Sequence, residues 1–271
     1  VIVNQPQMVQ EGSTKPLVAL GGVDNDEVQQ DVARAFANLS ANEDNHVPLY
    51  EQGALRRLIA LTDTNDEVTQ RYAAMGLRFL SSNAEIRVHI VREGLLKPFL
   101  TLAQSPVLDY QRCAAASFSS FSLNEVNKEK LVREGGLVQI LSSALFEDLE
   151  VQRDCTFALA NLADSIEYQT DIVREGGIEV LIRVGLSDDA RVQRDASRAL
   201  ASLSIAEDIK PLIVAKGGLN TLFVLARSLD VASQRFACLA MCNLSAGDED
   251  KVRIVEAGTV RPLLFLARFP D

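Results

Sequence analysis

Residues 127–163 read NKEKLVREGGLVQILSSALFEDLEVQRDCTFALANLA, three helical segments separated by two kinds of punctuation. Asn127 to Glu134 predicts a short helix, and Gly135-Gly136 ends it, because glycine accepts the left-handed conformation at a helix C-terminus. A second helix is predicted from Leu137 to about Phe146, with Leu137, Ile140, Leu141, Ala144 and Leu145 at helical spacing and Glu147-Asp148 closing it. The third runs from about Glu150 to Ala163, where Val151, Cys155, Ala158, Leu159 and Leu162 keep the 3.6-residue period.

The unit recurs along the chain. Gly12, Gly53, Gly94, Gly135, Gly176, Gly217 and Gly258 stand 41 residues apart at every interval. Gln29, Gln70, Gln111, Gln152, Gln193 and Gln234 fall on the same beat, as do Leu39, Leu80, Phe121, Leu162, Leu203 and Leu244. Self-similarity of this length marks a repeat array whose units bury their apolar faces against their neighbours, so function is expected on a surface rather than in one pocket. Pro16, Pro98 and Pro262 fall four residues after a repeat glycine, in the first turn of a second helix, and Pro48 and Pro211 fall early in first helices; proline is tolerated there. Ala33, Ala74, Ala115, Thr156, Ser197 and Cys238 are small residues that should let neighbouring third helices approach closely. No period-two strand pattern appears, and the predicted class is all-α.

This register predicts repeats at 1–41, 42–82, 83–123, 124–164, 165–205 and 206–246, with 247–271 a partial unit lacking its third helix, all in one continuous solenoid. The chain does not open with methionine, and its first helix is expected to begin at about Asn4. The expectation is an excised segment with further repeats on its flanks.

The net charge of −10 and pI near 4.8 argue against nucleic acid, since phosphate binding draws on surplus Lys and Arg. Apolar stretches last about one helix and are broken by charges, short of the roughly 18–20 residues that span a bilayer, so no membrane insertion is expected. No signal-peptide pattern opens the chain. Cys113, Cys155, Cys238 and Cys242 lie in amphipathic patterns beside Ala and Leu and are expected to be small buried hydrophobes in a reduced, cytoplasmic setting.

No constellation for chemistry emerges. His46 and His89 are single residues near first helices, without Cys or carboxylate at metal-ligand spacing, and both are expected at the solvated surface. Cys238 and Cys242 lack the second pair a metal site would want. The Gly-Gly pairs end helices instead of opening them after a strand, so no phosphate loop is present. No catalytic residue, metal or cofactor is assigned, and the segment is not expected to be an enzyme.

The 127–163 unit resembles an armadillo repeat, and the resemblance covers essentially the whole chain. Its carriers are first helices ending as IVREGG (172–177), second helices in the style of PLVAL (16–20), and third helices written VQRDASRALASLS (192–204). Within the family, that last stretch and YQTDIVREGGIEVLI (168–182) are most similar in style to Vac8-like and armadillo-repeats-only scaffold proteins. The resemblance implies a right-handed superhelical solenoid of three-helix repeats whose third helices line a concave groove. The groove would take an extended peptide or an amphipathic helix from a protein partner.

Carried over residue by residue, the family's ladder asparagine, which would hydrogen-bond a ligand backbone, corresponds to Asn38, Asn161 and Asn243, with Phe79, Ser120 and Ser202 in the other units. One turn earlier, import adaptors of the family carry tryptophans that clamp lysine stems; here stand Arg34, Met75, Ala116, Phe157, Arg198 and Leu239. The lack of tryptophan and the two arginines remove the physical support for a nuclear-import adaptor. Tyr72 and Arg78 join Arg34, Met75, Phe79, Phe157 and Arg198 as expected anchors for an amphipathic helix or a partly acidic segment. Met75 and Phe157 admit either groove exposure or packing between repeats. A column formed by Gln30, Arg71, Arg112, Arg153, Arg194 and Arg235 admits two readings as well, a guanidinium ladder for an acidic partner or internal bridges between units.

The functional expectation is a monomeric, non-enzymatic interaction scaffold or adaptor. The Vac8-like style implies tethering at an organelle membrane or the cytoskeleton, peripheral through a missing lipidated N-terminus. The alternative is an autoinhibitory or sensing domain of a larger multidomain enzyme, which a tight polar pocket between repeats would favour.

Overall fold

The structure is a computed structural model, and it describes residues 5–92 and 96–246. The expected partial unit 247–271, Gly94, Gly258, Pro262 and the expected helix start at Asn4 lie outside the described residues. Within them the regular elements are α1 (Gln5–Gln10), α2 (Thr14–Leu20), α3 (Asp26–Ser40), α4 (His46–Glu51), α5 (Ala54–Thr62), α6 (Glu67–Ser82), α7 (Ala84–Arg92), α8 (Leu96–Gln104), α9 (Leu108–Phe121), α10 (Glu125–Arg133), α11 (Gly136–Ser143), α12 (Leu149–Ala163), α13 (Ile166–Arg174), α14 (Gly177–Val184), α15 (Ala190–Leu203), α16 (Lys210–Ala215), α17 (Gly218–Leu225) and α18 (Val231–Leu244), with a 3-10 turn at Glu43–Asn45. No strand occurs among the described residues. The chain divides between Gly136 and Leu137 into two compact units.

Local chemistry sets where helices stop and start. Gly12, Gly53, Gly135, Gly176 and Gly217 have φ between 85° and 91°, the left-handed region that turns a first helix into a second. Third helices begin on short polar caps: Asn25, Asp66, Asp148, Asp189 and Asp230 each accept a backbone N–H two or three residues on. α9 is the exception, with Val107 at its N-cap and no side-chain cap. Five of the six recurring glutamines latch the turn before a third helix: Gln29, Gln70, Gln111, Gln193 and Gln234 donate to the carbonyl six residues earlier at 2.5–2.9 Å, whereas Gln152 reaches the Ala144 carbonyl, eight residues back, at 3.4 Å.

In the first unit α3, α6 and α9 pack side by side, with α5 on α6 and α8 on α9. In the second, α12, α15 and α18 do the same, with α14 on α15 and α17 on α18. The small residues Ala33, Ala74, Ala115, Thr156 and Ser197 are at most 1% exposed, which lets neighbouring third helices approach to about 8–10 Å. Leu39, Leu80, Phe121, Leu162, Leu203 and Leu244 are all core residues, and Phe121 meets Phe99 edge to face at 5.1 Å.

Some expectations are corrected. The second helix of the 127–163 stretch ends at Ser143 instead of Phe146, because the Leu145 and Phe146 N–H groups bond to the carbonyls of Ser142 and Ser143, three residues back. His46 is not at the surface: it is 2% exposed, with Nε2 2.7 Å from the Ser40 carbonyl oxygen. His89 is half-buried, its ring 5.0 Å from that of Tyr50. Cys113 and Cys155 are buried as expected, but Cys238 is half-buried and Cys242 exposed.

His46 belongs to a column of first-helix donors. Arg87 reaches the carbonyls of Ser82 and Ser120 at 2.7 and 3.0 Å, and Gln169 those of Ala163 and Ser202 at 2.9 and 3.1 Å. Both side chains satisfy carbonyls left open at the C-termini of third helices, their own predecessor's and the next one's.

Candidate functional site

The candidate residues lie on third helices, held at their angles by the caps and latches described above. In the first unit, Arg34 and Asn38 project from α3, Tyr72, Met75, Arg78 and Phe79 from α6, and Ser120 from α9. The structure brings Arg34 and Tyr72 together: the guanidinium carbon stands 5.2 Å from the ring centroid, a cation–π distance, and Nη1 is 3.7 Å from Asp31. Tyr72, Met75, Arg78 and Phe79 are all half-buried, and Asn38 is exposed. A four-residue row on one helix face thus keeps part of its apolar and aromatic surface in solvent. The Ser120 carbonyl is taken by Arg87.

In the second unit four of the candidates, Phe157, Asn161, Arg198 and Ser202, form one connected cluster through Asp164, and Asn243 stands apart from it. Arg198 on α15 donates from Nη1 to Asp164 at 2.6 Å and from Nη2 to the Asn161 amide oxygen at 2.9 Å, and its guanidinium carbon lies 5.6 Å from the Phe157 ring centroid. Asp195 stands 3.8 Å away on the same helix. Ser202 donates to the other Asp164 oxygen at 2.6 Å. Asn243 on α18 turns its amide toward Ser204 Oγ at 3.0 Å.

Asp164 is the residue that sequence reasoning missed. Its column reads Ala41, Ser82, Leu123, Asp164, Ile205 and Ala246, so a single acid there was a visible departure. Leu239, in the same column as Phe157 and Arg198, is 49% exposed and also belongs to this face.

Electrostatics divide the Gln30/arginine column. Arg71 binds Asp109 at 2.7 Å, and Arg153 binds Asp189 through Nε at 3.1 Å and Nη2 at 2.5 Å, each reaching the start of the next third helix. The Arg153 hydrogen bond holds the Asp189 carboxyl below the usual carboxylate range. Gln30 likewise donates to Asp66, whose carboxyl is lowered first by its Thr69 bonds. At these three positions the column is internal lattice.

No protein-family model matches the chain, and no curated protein does. Among solved structures, an engineered protein from the Northeast Structural Genomics Consortium is similar with a TM-score of 0.89 and 29% identity, over 100% of this chain and 67% of its own. A computationally designed armadillo repeat protein for modular peptide recognition is similar with a TM-score of 0.79 and 21% identity, over 84% of this chain and 98% of its own. A designed armadillo repeat protein in complex with the peptide (KR)4 is similar with a TM-score of 0.75 and 21% identity, over 85% and 98%. The fold is an armadillo-repeat fold.

On this armadillo fold the asparagines expected to form a ladder are in unequal states. Asn38 is exposed, Asn161 is 8% exposed with its amide oxygen engaged by Arg198, and Asn243 is half-buried against Ser204. Away from the candidate residues, a cleft of about 550 Å³ opens in the first unit between α5 and α8, with the starts of α6 and α9 at its edge; it is lined among others by Thr62, Gln70, Lys97, Pro98 and Tyr110. At the corresponding place in the second unit, Thr221 donates to the Ile182 carbonyl at 3.2 Å, and a Cβ at Gly185 would lie 2.7 Å from the Thr221 methyl. Pro98 and Thr62 stand where Thr221 and Gly185 stand there, and proline can neither donate nor lie as close. Among the described residues no group of three or more His, Cys, Asp or Glu forms a metal-binding cluster, and no helix is long and apolar enough to cross a membrane.

Proposed function

We propose that the chain is a non-enzymatic interaction scaffold that seats an extended segment or an amphipathic helix of a protein partner on its third-helix faces. The observation that carries the reading is the row Tyr72, Met75 and Phe79 on α6. A helix buried only for stability would hide these side chains, yet all three keep solvent contact beside Arg34 and Arg78. The peptide recognition named for the designed neighbours supports the same use of the face. Aromatic and guanidinium anchors suit a segment carrying apolar side chains and some carboxylates. On this reading the chain acts as a cytoplasmic monomer that tethers its partner beside an organelle membrane or the cytoskeleton.

The test is selection of binding peptides from a random display library, followed by fluorescence anisotropy on the strongest. The expected result is that Tyr72→Ala with Phe79→Ala weakens binding about 30-fold or more, the loss of at least one centrally placed aromatic anchor of roughly 2 kcal/mol, while helicity is unchanged. Equal affinity in the double variant would move the site off the first unit's third-helix face.

One observation favours a second reading, a sensing or autoinhibitory domain of a larger enzyme. The cleft between α5 and α8 is large enough for a small polar metabolite. A metabolite panel in a thermal-shift assay, repeated with Pro98→Thr to narrow the cleft, tests it; no stabilised condition in the wild type removes it.

A further inference from the structure

The strongest unassigned arrangement is the environment of Arg198. The groups it meets outside its own helix all belong to one repeat: the ring of Phe157, the amide oxygen of Asn161, and the carboxylate of Asp164 just beyond the end of α12. Arg198 itself comes from α15 in the next repeat. A planar cation thus lies over an aromatic ring, 5.6 Å from its centroid, and is held by one charged and one neutral oxygen at 2.6 and 2.9 Å, with the Asp195 carboxylate of its own helix at 3.8 Å and its side chain 21% exposed. These are the elements by which proteins recognise a guanidinium. Ser202 holds the second Asp164 oxygen at 2.6 Å, so the carboxylate is oriented independently of its arginine.

We infer that Phe157, Asn161 and Asp164 form a guanidinium-binding site on the third-helix face of the second unit, and that Arg198 is its built-in occupant. A partner segment cannot place an arginine there until Arg198 swings out, so the wild-type protein discriminates against basic segments at this point. The first unit carries a different pairing, Arg34 over Tyr72 of the next repeat with Asp31 of its own helix at 3.7 Å, in which both partners are more open to solvent. The inference rests on the reading of the third-helix face as the binding face. It is tested in the other unit, so that its failure and the failure of the Tyr72 and Phe79 test are separate results.

The experiment compares the full chain with its Arg198→Ala variant, using the peptide (KR)4 and an all-lysine peptide of equal length as probes. The expected result is that Arg198→Ala binds (KR)4 at least about tenfold more tightly than wild type, with a smaller gain for the all-lysine peptide, whose ammonium groups cannot present a planar fork. Adding Phe157→Ala should abolish the gain. Arg194→Ala, which removes the same charge elsewhere on α15, should not reproduce it. No gain in folded Arg198→Ala, a gain that survives Phe157→Ala, or an equal gain in Arg194→Ala would each overturn the site, the last because net charge alone would explain the binding. Should Arg198→Ala not fold, Arg198→Gln keeps the aliphatic stem and replaces it. Methylguanidinium then supplies a second readout, since it should raise the melting temperature of the emptied variant and leave that of the wild type unmoved.

Discussion

The carboxylate of Asp189 holds two helices at once. It accepts the Arg191 and Val192 N–H groups at 3.1 Å as the N-cap of α15, and it receives Nε and Nη2 of Arg153 from α12. One side chain therefore starts a third helix and ties it to the one before. The position repeats as Asn25, Asp66, Val107, Asp148, Asp189 and Asp230, so the dual role can be dissected by substitution.

Asp189→Asn keeps a good cap and loses the charge, so its cost should be about 1 kcal/mol or less, the scale of a partly exposed ion pair. Asp189→Ala also loses the cap and should cost about 0.5–2 kcal/mol more. The Asp189 carboxyl is depressed in the folded chain, so its contribution is present above the unfolded value of about 3.9 and is lost as pH falls through the lower folded value. Denaturant midpoints should thus separate Asp189→Asn from wild type at pH 7 and converge toward pH 2. An Asn variant as destabilised as the Ala variant would sink the division of roles.

Val107 is where this device is missing. The α9 N-terminus has no side-chain cap, and Arg71 turns to Asp109 instead, at 2.7 Å. Val107→Asp should restore the cap and stabilise the protein by about 0.5–2 kcal/mol, read as a higher urea midpoint at unchanged m-value. A lower midpoint would mean that the valine contributes packing that outweighs the cap.

The arrangement of helices was legible because glycine, cap and core leucine each report a local requirement: Gly176 the left-handed turn, Asp189 the open N–H groups, Leu162 the buried stripe. Side chains whose partners lie in another repeat were not legible. His46 looked like a lone polar residue, and only the carbonyl of Ser40 at the end of α3 explains its burial. Arg198 looked like an anchor for an acidic partner, whereas Asp164, 34 residues earlier and alone in its column, already occupies it. Cys242 shared the apolar pattern of α18 and yet faces solvent, because period alone does not say how wide the buried stripe is.

Asp195 offers a pH test of opposite sign. Burial pushes its carboxyl above the ordinary range, with Arg198, Arg194 and Arg191 pulling it back and Asp230, at the head of α18, adding to the rise. A raised carboxyl binds more protons folded than unfolded, so stability is fullest below the unfolded value and falls as pH rises through the folded one. Asp195→Asn should therefore melt above wild type at pH 7, and the gap should close toward pH 3. A variant less stable at pH 7 would mean that attraction to Arg198 outweighs the cost of burial.

Gly176 and Gly177 separate a reading by repeat from a reading by contact. Gly176 is on the 41-residue beat and has φ 87°, with open space where a Cβ would go, so Gly176→Ala should cost about 1–2 kcal/mol, the penalty of a left-handed L-residue. At the Gly177 position other units carry Ser13 and Ala54 as well as Gly136 and Gly218, so the column by itself admits alanine. In this unit a Cβ there would stand 2.3 Å from Ile172 Cγ2 and 2.7 Å from the Ile172 carbonyl oxygen. The methyl could rotate away but the carbonyl cannot, so α13 and α14 would have to separate. Gly177→Ala should therefore cost more than Gly176→Ala in equilibrium denaturation, and a neutral Gly177→Ala would show that the repeat column, and not the local contact with α13, decides what the position accepts.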